Sequence, residues 1–372
     1  MTDFSIHTAE FVFPGHPDKI SDAIADALVA EAITREERAL VGVEVAVHRN
    51  KVFITGRIAC RQAEEIDIPE IVKSVFRSAG YGPNWYPSPE ELIIQSDLCL
   101  GDLEDGEDDF RELSDDQAIC IGYACNTPET NYLPVEQWLA KHLAARLYAL
   151  RNEQPHLQLG PDGKVLVLVR EENDHFHLEN FSCSLQQVEA ADDIALHRAV
   201  RQGIEQEILR LSRTFPKLSP IVPEHITVNG AGAFEVGGTE GDNGLSGKKL
   251  VVDAYGPRVP IGGGAWSGKD FFKADRAGGL HARRIAKAIV ALGMAKEATI
   301  ILAWFPGDRE ASIVRIVDEE GRLLPTKAIS ALFDRSLKLS GMNFSKKIDL
   351  IEIARWGHFS NPDCPWEVSH RI

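Results

Sequence analysis

The 372-residue chain lacks several things whose absence is informative. No run approaches about 18 consecutive apolar residues, so no ordinary membrane-spanning helix is expected. The opening stretch, MTDFSIHTAEFVFPGHPDK, has neither the basic start nor the apolar core of a secretory leader. Cys60, Cys99, Cys120, Cys125, Cys183 and Cys364 form no CxxC pair and no dense framework, so they are expected as reduced thiols in a cytoplasmic protein. Positive charge is in deficit: 40 Lys and Arg stand against 56 Asp and Glu, a net charge of −16. That balance argues against a nucleic-acid backbone or an anionic membrane as the main partner. A small anionic substrate stays compatible, because a local lysine cluster outweighs a distant acidic surface at short range.

Two nucleotide signatures are also missing. No GxxxxGK[ST] sequence occurs; Gly262 to Asp270 reads GGGAWSGKD, with Lys-Asp at its end where the pattern needs Lys-Ser or Lys-Thr. No G-x-G-x-x-G follows a strand-like run, which disfavours a dinucleotide-dependent oxidoreductase. The chain instead concentrates its unusual chemistry between Gly237 and Arg276. Ten of the 32 residues from Gly237 to Gly268 are glycine, and Asp242, Lys248, Lys249, Lys269, Lys273 and Asp275 sit among or just after them. Glycine lets backbone approach a bulky anion, lysine supplies compact positive charge, and aspartate can hold Mg²⁺ beside phosphate. The mixture suits a polyphosphate.

In chain order, Gly15-His16-Pro17-Asp18-Lys19 reads as a turn feeding an amphipathic helix, with Ile20, Ile24, Ala27 and Leu28 at helical spacing. His16, Asp18 and Lys19 then lie at a helix start that favours anions; a plain Pro/Gly turn with an Asp cap is the alternative. Strands over 39–48 and 51–59 form a hairpin, and the alternation of Val41, Val43, Val45 and Val47 puts Glu44 on the opposite face. A helix is expected over 65–79, with Ile71, Val75 and Phe76 inward, and a short strand over 91–96.

Nine acidic residues between Asp102 and Asp116 fail the calcium-loop template, because Gly101 falls where its first Asp belongs. A solvated loop, or a lid beside a site, is expected. A helix over 135–152, a turn at Lys164 opening a buried strand, and a helix over 189–213 follow. His175 and His177 read as an exposed hairpin tip rather than metal ligands. Residues 248–256 read as a strand, 273–294 as a helix, 298–306 and 311–318 as strands, and 326–337 as a helix. Should the helix after Lys269 begin early, Lys269 and Lys273 would share a face. The expected fold class is α+β, in three similar-sized, interlocked units over 1–100, 110–228 and 229–372.

GHPDKISDAIADA, GYACNTPET, GDNGLSGKKLVVDAYG, GGGAWSGKDFFKADR and WGHF…PWE together resemble the S-adenosylmethionine synthetase (methionine adenosyltransferase) family nearly end to end. The pairing of GHPDK with GGGAWSGKD is highly specific. The resemblance implies three repeats of one α+β unit, and a homodimer or dimer of dimers with active sites between subunits. It implies ATP and L-methionine as substrates, two Mg²⁺ and K⁺ as cofactors, and release of phosphate and pyrophosphate. Carried over by motif, His16, Lys164, Lys248 and Lys269 would be catalytic. ATP would be bound by these with Phe234, Asp242, Lys249 and Ala265. Asp18 and Asp275 would hold Mg²⁺ and Glu44 K⁺. Asp116, Asp242, Lys273 and Gln95 would face the amino acid.

The match departs from the family pattern chiefly on the acceptor side. Arg57 stands where the family carries the Glu that pairs with the substrate ammonium. GAGDQG is reduced to Ser114-Asp115-Asp116-Gln117-Ala118. Lys248, Ala233 and Thr239 replace an Arg, an Arg and a Pro. A charge reversal at Arg57 leaves open a related adenosyltransferase or triphosphate-cleaving enzyme with another acceptor, or a non-catalytic partner subunit.

Overall fold

The computed structural model describes residues 4–188 and 191–368. In chain order it holds strand β1 (Phe4–Val12), helix α1 (Pro17–Arg35), strands β2 (Leu40–His48) and β3 (Lys51–Ala59), helix α2 (Ile68–Ser78) and strand β4 (Ile93–Gly101). A single turn α3 (Glu107–Phe110), β5 (Ala118–Cys125), α4 (Val135–Glu153), β6 (Leu159–Glu172), β7 (His175–Gln187) and α5 (Asp193–Thr214) follow. The last third carries β8 (Thr227–Val228), α6 (Gly238–Gly241), β9 (Gly244–Leu245), α7 (Leu250–Asp253) and α8 (Ala274–Ala291). It ends with β10 (Glu297–Trp304), β11 (Ser312–Asp318), α9 (Thr326–Ser330), α10 (Leu337–Asn343) and α11 (Leu350–Trp356).

The strands make three sheets, ordered β1-β6-β7-β8, β4-β3-β2-β9 and β11-β10-β5. Each sheet borrows a strand from a distant part of the chain. β1 pairs antiparallel with β6, Val12 opposite Lys164. β9 adds to the edge of β2. β5 pairs with β10, Ala118 opposite Trp304. The α+β units therefore interlock through exchanged strands.

Three apolar cores form, chiefly around α1, α4 and α8. In β2, Val41, Val43, Val45 and Val47 are buried and Glu44 is exposed, the period of two that a one-sided sheet imposes. In α8 the small residues let the helix lie close on β5. A Cβ at Gly122 would meet the Ala282 carbonyl oxygen at 2.1 Å, so only glycine allows that approach. Among the described residues no helix is long and apolar enough to cross a membrane.

Several local expectations are corrected. Residues 250–253 are a short helix, not a strand: Val252 packs into the core around α4 while Asp253 turns to bury against Lys19. Lys164 lies within β6 rather than in a turn, because that strand already begins at Leu159 opposite Gln187. α8 starts after Lys273, its N-cap, so Lys269 lies outside the helix and shares no helix face with Lys273. The cause is Asp270, whose carboxylate takes the amides of Val41 and Phe272 and turns the chain before the helix. The helix expected over 326–337 is only α9, followed by a turn into α10. His175 and His177 begin β7 beside the Asn173–Asp174 turn, a hairpin tip as expected. The helix expected from 189 is α5; positions 189–190 lie outside the described residues.

Candidate active site

Both lysine-bearing turns attach to one strand edge. β9 occupies the edge of β2 opposite Ala46 and Val47, and Ser246 donates its amide to the Val45 carbonyl at 2.9 Å. Farther along the same edge, Val43 donates its amide to the Gly268 carbonyl at 2.9 Å and Asp270 donates its own to Val41 at 3.1 Å. Helix α1 braces both turns from beneath. Asp18, Asp22 and Asp26 recur every four residues and so stand on one face of a buried helix, spanning about 12 Å. Their carboxylates accept the amides of Leu245 (3.0 Å), Gly247 (2.8 Å) and Gly268 (3.0 Å). Loop backbone that would otherwise wander is thereby fixed to the helix.

The first half of the site surrounds the N-terminus of α1. His16 is the N-cap, and its Nδ1 accepts the Asp18 amide at 3.2 Å. The ring hydrogen therefore belongs on Nε2, leaving that nitrogen as a neutral donor. Burial, reinforced by Lys249, pushes the imidazole down to about 4, so it is uncharged at neutral pH. Burial alone would raise the Asp18 carboxyl, but Lys249 and the Leu245 amide outweigh it and hold the group below the usual carboxylate range. Lys249 Nζ lies 2.6 Å and Lys248 Nζ 3.7 Å from that carboxylate. A cavity of about 370 Å³ opens beside these lysines, lined by Thr8, Glu10, Leu166 and Pro257 among others.

The second half is the turn after Gly262. Lys269 Nζ donates to Asp275 at 2.5 Å. A Cβ at Gly264 would sit 2.0 Å from the Asp275 carboxyl carbon, so the glycine is what gives that carboxylate room. Ala265 packs over the backbone of Gly247, joining the two turns. Trp266 seats the loop, its ring edge-on to His358 and Phe359 at 4.9 and 5.2 Å between centroids. Among the described residues no three His, Cys, Asp or Glu side chains gather into a metal cage. Asp18 and Asp275 are each a lone carboxylate beside lysines. That donor set fits Mg²⁺ arriving on phosphate oxygens, an ion that tolerates one protein carboxylate plus substrate and water.

The third region is the open face of the β4-β3-β2-β9 sheet. Register places Glu44 opposite Thr55, and Phe53 opposite Gln95, so Glu44, Phe53, Arg57 and Gln95 share that face. Glu44 accepts the Ser246 hydroxyl at 2.5 Å. Gln95 lines a cavity of about 340 Å³ with His48, Phe53, Asn243 and Leu245. Arg57 donates to Glu107 at 2.7 Å and lies 3.5 Å from Glu104, so the acidic segment folds over its end of the sheet. Arg38 pairs with Asp108, and Lys273 with Asp115. Arg111 is buried and donates to Asp270 at 2.6 Å. The segment expected as a solvated loop or lid is largely exposed, and these pairs tether it to the sheet.

Other candidates are less gathered. Lys164 pairs with Glu10, yet it lies near enough to His16 to depress that imidazole, as Asp242 does to raise it. The Phe234 ring lies over Gly237, where a Cβ would meet it at 2.9 Å. Asp116 is exposed and forms no ion pair with Lys164; its carboxylate accepts the Gln117 amide and its carbonyl the Ser114 hydroxyl. Sequence reasoning missed Asp22, Asp26, Arg111, Arg276 and Asp162. Asp162 is buried, takes the Gly238 amide at 2.7 Å, and is pushed by burial up to about 6. Lys19, which resembled a site residue, is buried and faces two carboxylates, Asp22 and Asp253. One cation cannot neutralise both, and burial raises the two acids, Asp22 to about 8. A larger open groove of about 530 Å³ between α5 and residues 224–226 is lined by none of the candidates.

Two lysine-bearing glycine turns clamped to the β2 edge, with Asp18 and Asp275 beside them, sit in a protein of α+β class built on three strand-exchanged sheets. Three family models match in succession: the N-terminal domain of S-adenosylmethionine synthetase over residues 5–91, its central domain over 111–234 and its C-terminal domain over 236–368. The chain belongs to the S-adenosylmethionine synthetase family. It is 32% identical to the S-adenosylmethionine synthase of Thermus thermophilus, covering 98% of this chain and 96% of that protein. It is likewise 32% identical to that of Corynebacterium kroppenstedtii, covering 99% and 97%. A solved structure described as an unusual S-adenosylmethionine synthetase from Campylobacter jejuni superimposes with a TM-score of 0.81 at 26% identity, over 98% of this chain and 97% of that one.

Proposed function

We propose that this protein transfers the adenosyl group of ATP to the sulfur of L-methionine, expelling triphosphate and cleaving it to phosphate and pyrophosphate. The observation that carries the reading is the attachment of the Lys248–Lys249 and Lys269 turns to a single strand edge, with Asp18 and Asp275 beside them. A thioether sulfur carries no proton, so its attack on the ribose carbon needs no general base. It needs in-line positioning and stabilisation of charge gathering on the leaving triphosphate. Lys164, Lys248, Lys249 and Lys269 supply positive charge, and neutral His16 donates from Nε2 without repelling a cation. Phe234 and Asp242 would contact adenosine, and Lys273 a phosphate or the amino acid.

Asp18 and Asp275 would hold two Mg²⁺ and Glu44 a K⁺. When bound, the divalent ions supply further neutralisation of phosphate oxygens and can orient the hydrolytic water. The active unit would be a homodimer or dimer of dimers, completing each site from both subunits.

One observation favours a second reading, an acceptor other than methionine. Arg57, where an ammonium-binding Glu is expected, is held by Glu107 and Glu104. Either those carboxylates take over the ammonium when the segment shifts, or Arg57 receives a carboxylate or phosphate. The test is incubation with ATP, Mg²⁺ and K⁺, with and without methionine, followed by mass spectrometry. Methionine-dependent S-adenosylmethionine supports the first reading, and triphosphate cleavage without a methionine adduct supports the second. ATP binding with neither product overturns both and leaves a non-catalytic subunit.

A further inference from the structure

We propose that the buried Asp26–Arg276 ion pair positions Lys269 for its work on the phosphate chain, an inference resting on the function just given. Both side chains are fully buried, with Arg276 Nη2 2.6 Å from Asp26 Oδ2. Neither points into the site. Their remaining bonds go to the backbone that carries Lys269. Asp26 Oδ1 accepts the Gly268 amide at 3.0 Å, and Arg276 Nη1 donates to the Lys269 carbonyl at 2.6 Å.

From the other side, Val43 donates to the Gly268 carbonyl at 2.9 Å. The polar groups flanking the Gly268–Lys269 link are thus tied to three elements at once: α1, α8 and β2. Gly268 itself has φ +86°, and a Cβ there would lie 2.3 Å from the Val43 carbonyl oxygen. The guanidinium lies over the Phe271 ring at 5.0 Å, and Nη2 is 3.4 Å from His358 Nε2, which fixes its plane.

A buried ion pair is a poor stability device, because desolvation offsets most of its attraction. A pair whose spare hydrogen bonds converge on one turn is explained by geometry instead. Lys269 leaves that turn with only its four-carbon stem between a fixed Cα and Asp275. Asp26 and Arg276 are positioning residues, acting through Lys269.

α8 supplies its own control. Arg283 and Glu367 are equally buried, 2.8 Å apart, and the other Arg283 bonds go to carbonyls of Tyr123, Asn131 and Tyr132, none of them in the site. Arg276→Lys keeps the charge but cannot bond Asp26 and the Lys269 carbonyl from one rigid plane; Arg283→Lys imposes the same insult elsewhere. The full-length variants are compared by melting temperature, by kcat and KM for ATP, and by calorimetric binding of inorganic triphosphate with Mg²⁺. Both variants are expected to melt earlier by similar amounts. Only Arg276→Lys is expected to lower kcat, by about 10²-fold, with KM for ATP changed less than about threefold. It alone should weaken triphosphate binding.

Equal losses of kcat and of triphosphate affinity in both variants, or losses in neither, would overturn the assignment. If the wild-type protein turns over no ATP, the proposed function fails, and triphosphate binding still decides the clamp. Should Arg276→Lys not fold, Asp26→Asn, which keeps an amide acceptor but drops the charge, is read by the same measurements.

Discussion

The lysine turns at 244–249 and 262–269 and the acidic segment at 102–116 are all mostly irregular chain, yet they are held in opposite ways. The lysine turns hang from buried carboxylates and a strand edge, by bonds that are buried or partly buried. Most of the acidic segment is held by pairs with exposed partners: Arg57 with Glu107 and Glu104, Arg38 with Asp108, Lys273 with Asp115. Such pairs are worth about 0–1 kcal/mol each. Its deep anchors are Arg111 on Asp270, the residue next to Lys269, and buried Ser114, which exchanges backbone bonds with Asp308 and Gly307. On the proposed function, the phosphate side is thus preorganised, and the acceptor side rearranges at lower cost about its buried anchors.

The sharpest way to break that contrast is Lys269→Ala. It should lower kcat by about 10²–10³-fold while leaving the melting temperature nearly unchanged, since the side chain is not part of a core. Phosphate and pyrophosphate release measures it, and normal turnover would sink the assignment.

Next comes acid. His281 is fully buried and burial holds its imidazole down to about 3. Between that value and 6.5 the unfolded chain binds a proton that the folded chain refuses, so stability is lost as pH falls below about 6.5. The loss should reach roughly 3 kcal/mol by pH 4 from this residue alone, visible in denaturant titrations and blunted in His281→Asn. A flat profile over that range would contradict the buried neutral ring.

Gly264→Ala should then cost about 10–10²-fold in kcat by pushing the Asp275 carboxylate aside, with the fold intact by circular dichroism. Unaltered kinetics would show that Asp275 has room to move.

The smallest effect on stability is expected from Arg57→Glu. Like charges against Glu107 and Glu104 should release the acidic segment, speeding proteolysis between 102 and 116 while melting shifts by only a degree or so. Methionine KM should fall; an unchanged or higher value would count against the role given to Arg57.

The gathering of the lysine turns was legible in the sequence because its signals are local. Glycines, lysines and the GHPDK helix start sit in short windows, and the valine alternation in β2 alone put Glu44 on the open face. The bracing beneath was harder to see. Asp22 and Asp26 read as the polar face of an amphipathic helix defined by Ile20, Ile24 and Leu28, but α1 is buried on nearly every side. Their spacing of four from Asp18 was the available signal, and its meaning depended on loops more than 200 residues away. Arg111 looked like one more charge in a solvated run, because burial of a single arginine leaves no mark on composition. Val251 and Val252 suggested a strand where tertiary packing imposed a helical turn. Strand exchange had no local signature at all, since an alternating segment does not name its partner.

The shared edge of β2 also has a consequence for biosynthesis. Its occupants are residues 244–246 and 268–270, and β1 likewise waits for β6, more than 150 residues downstream. Such long closures form late and slowly. While a ribosome is still making the middle of the chain, β2 carries a bare valine-rich edge and α1 carries three aspartates whose loops do not yet exist. A product truncated before residue 244 would keep that edge, open to pairing with another copy. Assembly of the two lysine-bearing turns and concealment of the β2 edge are, for this chain, the same event.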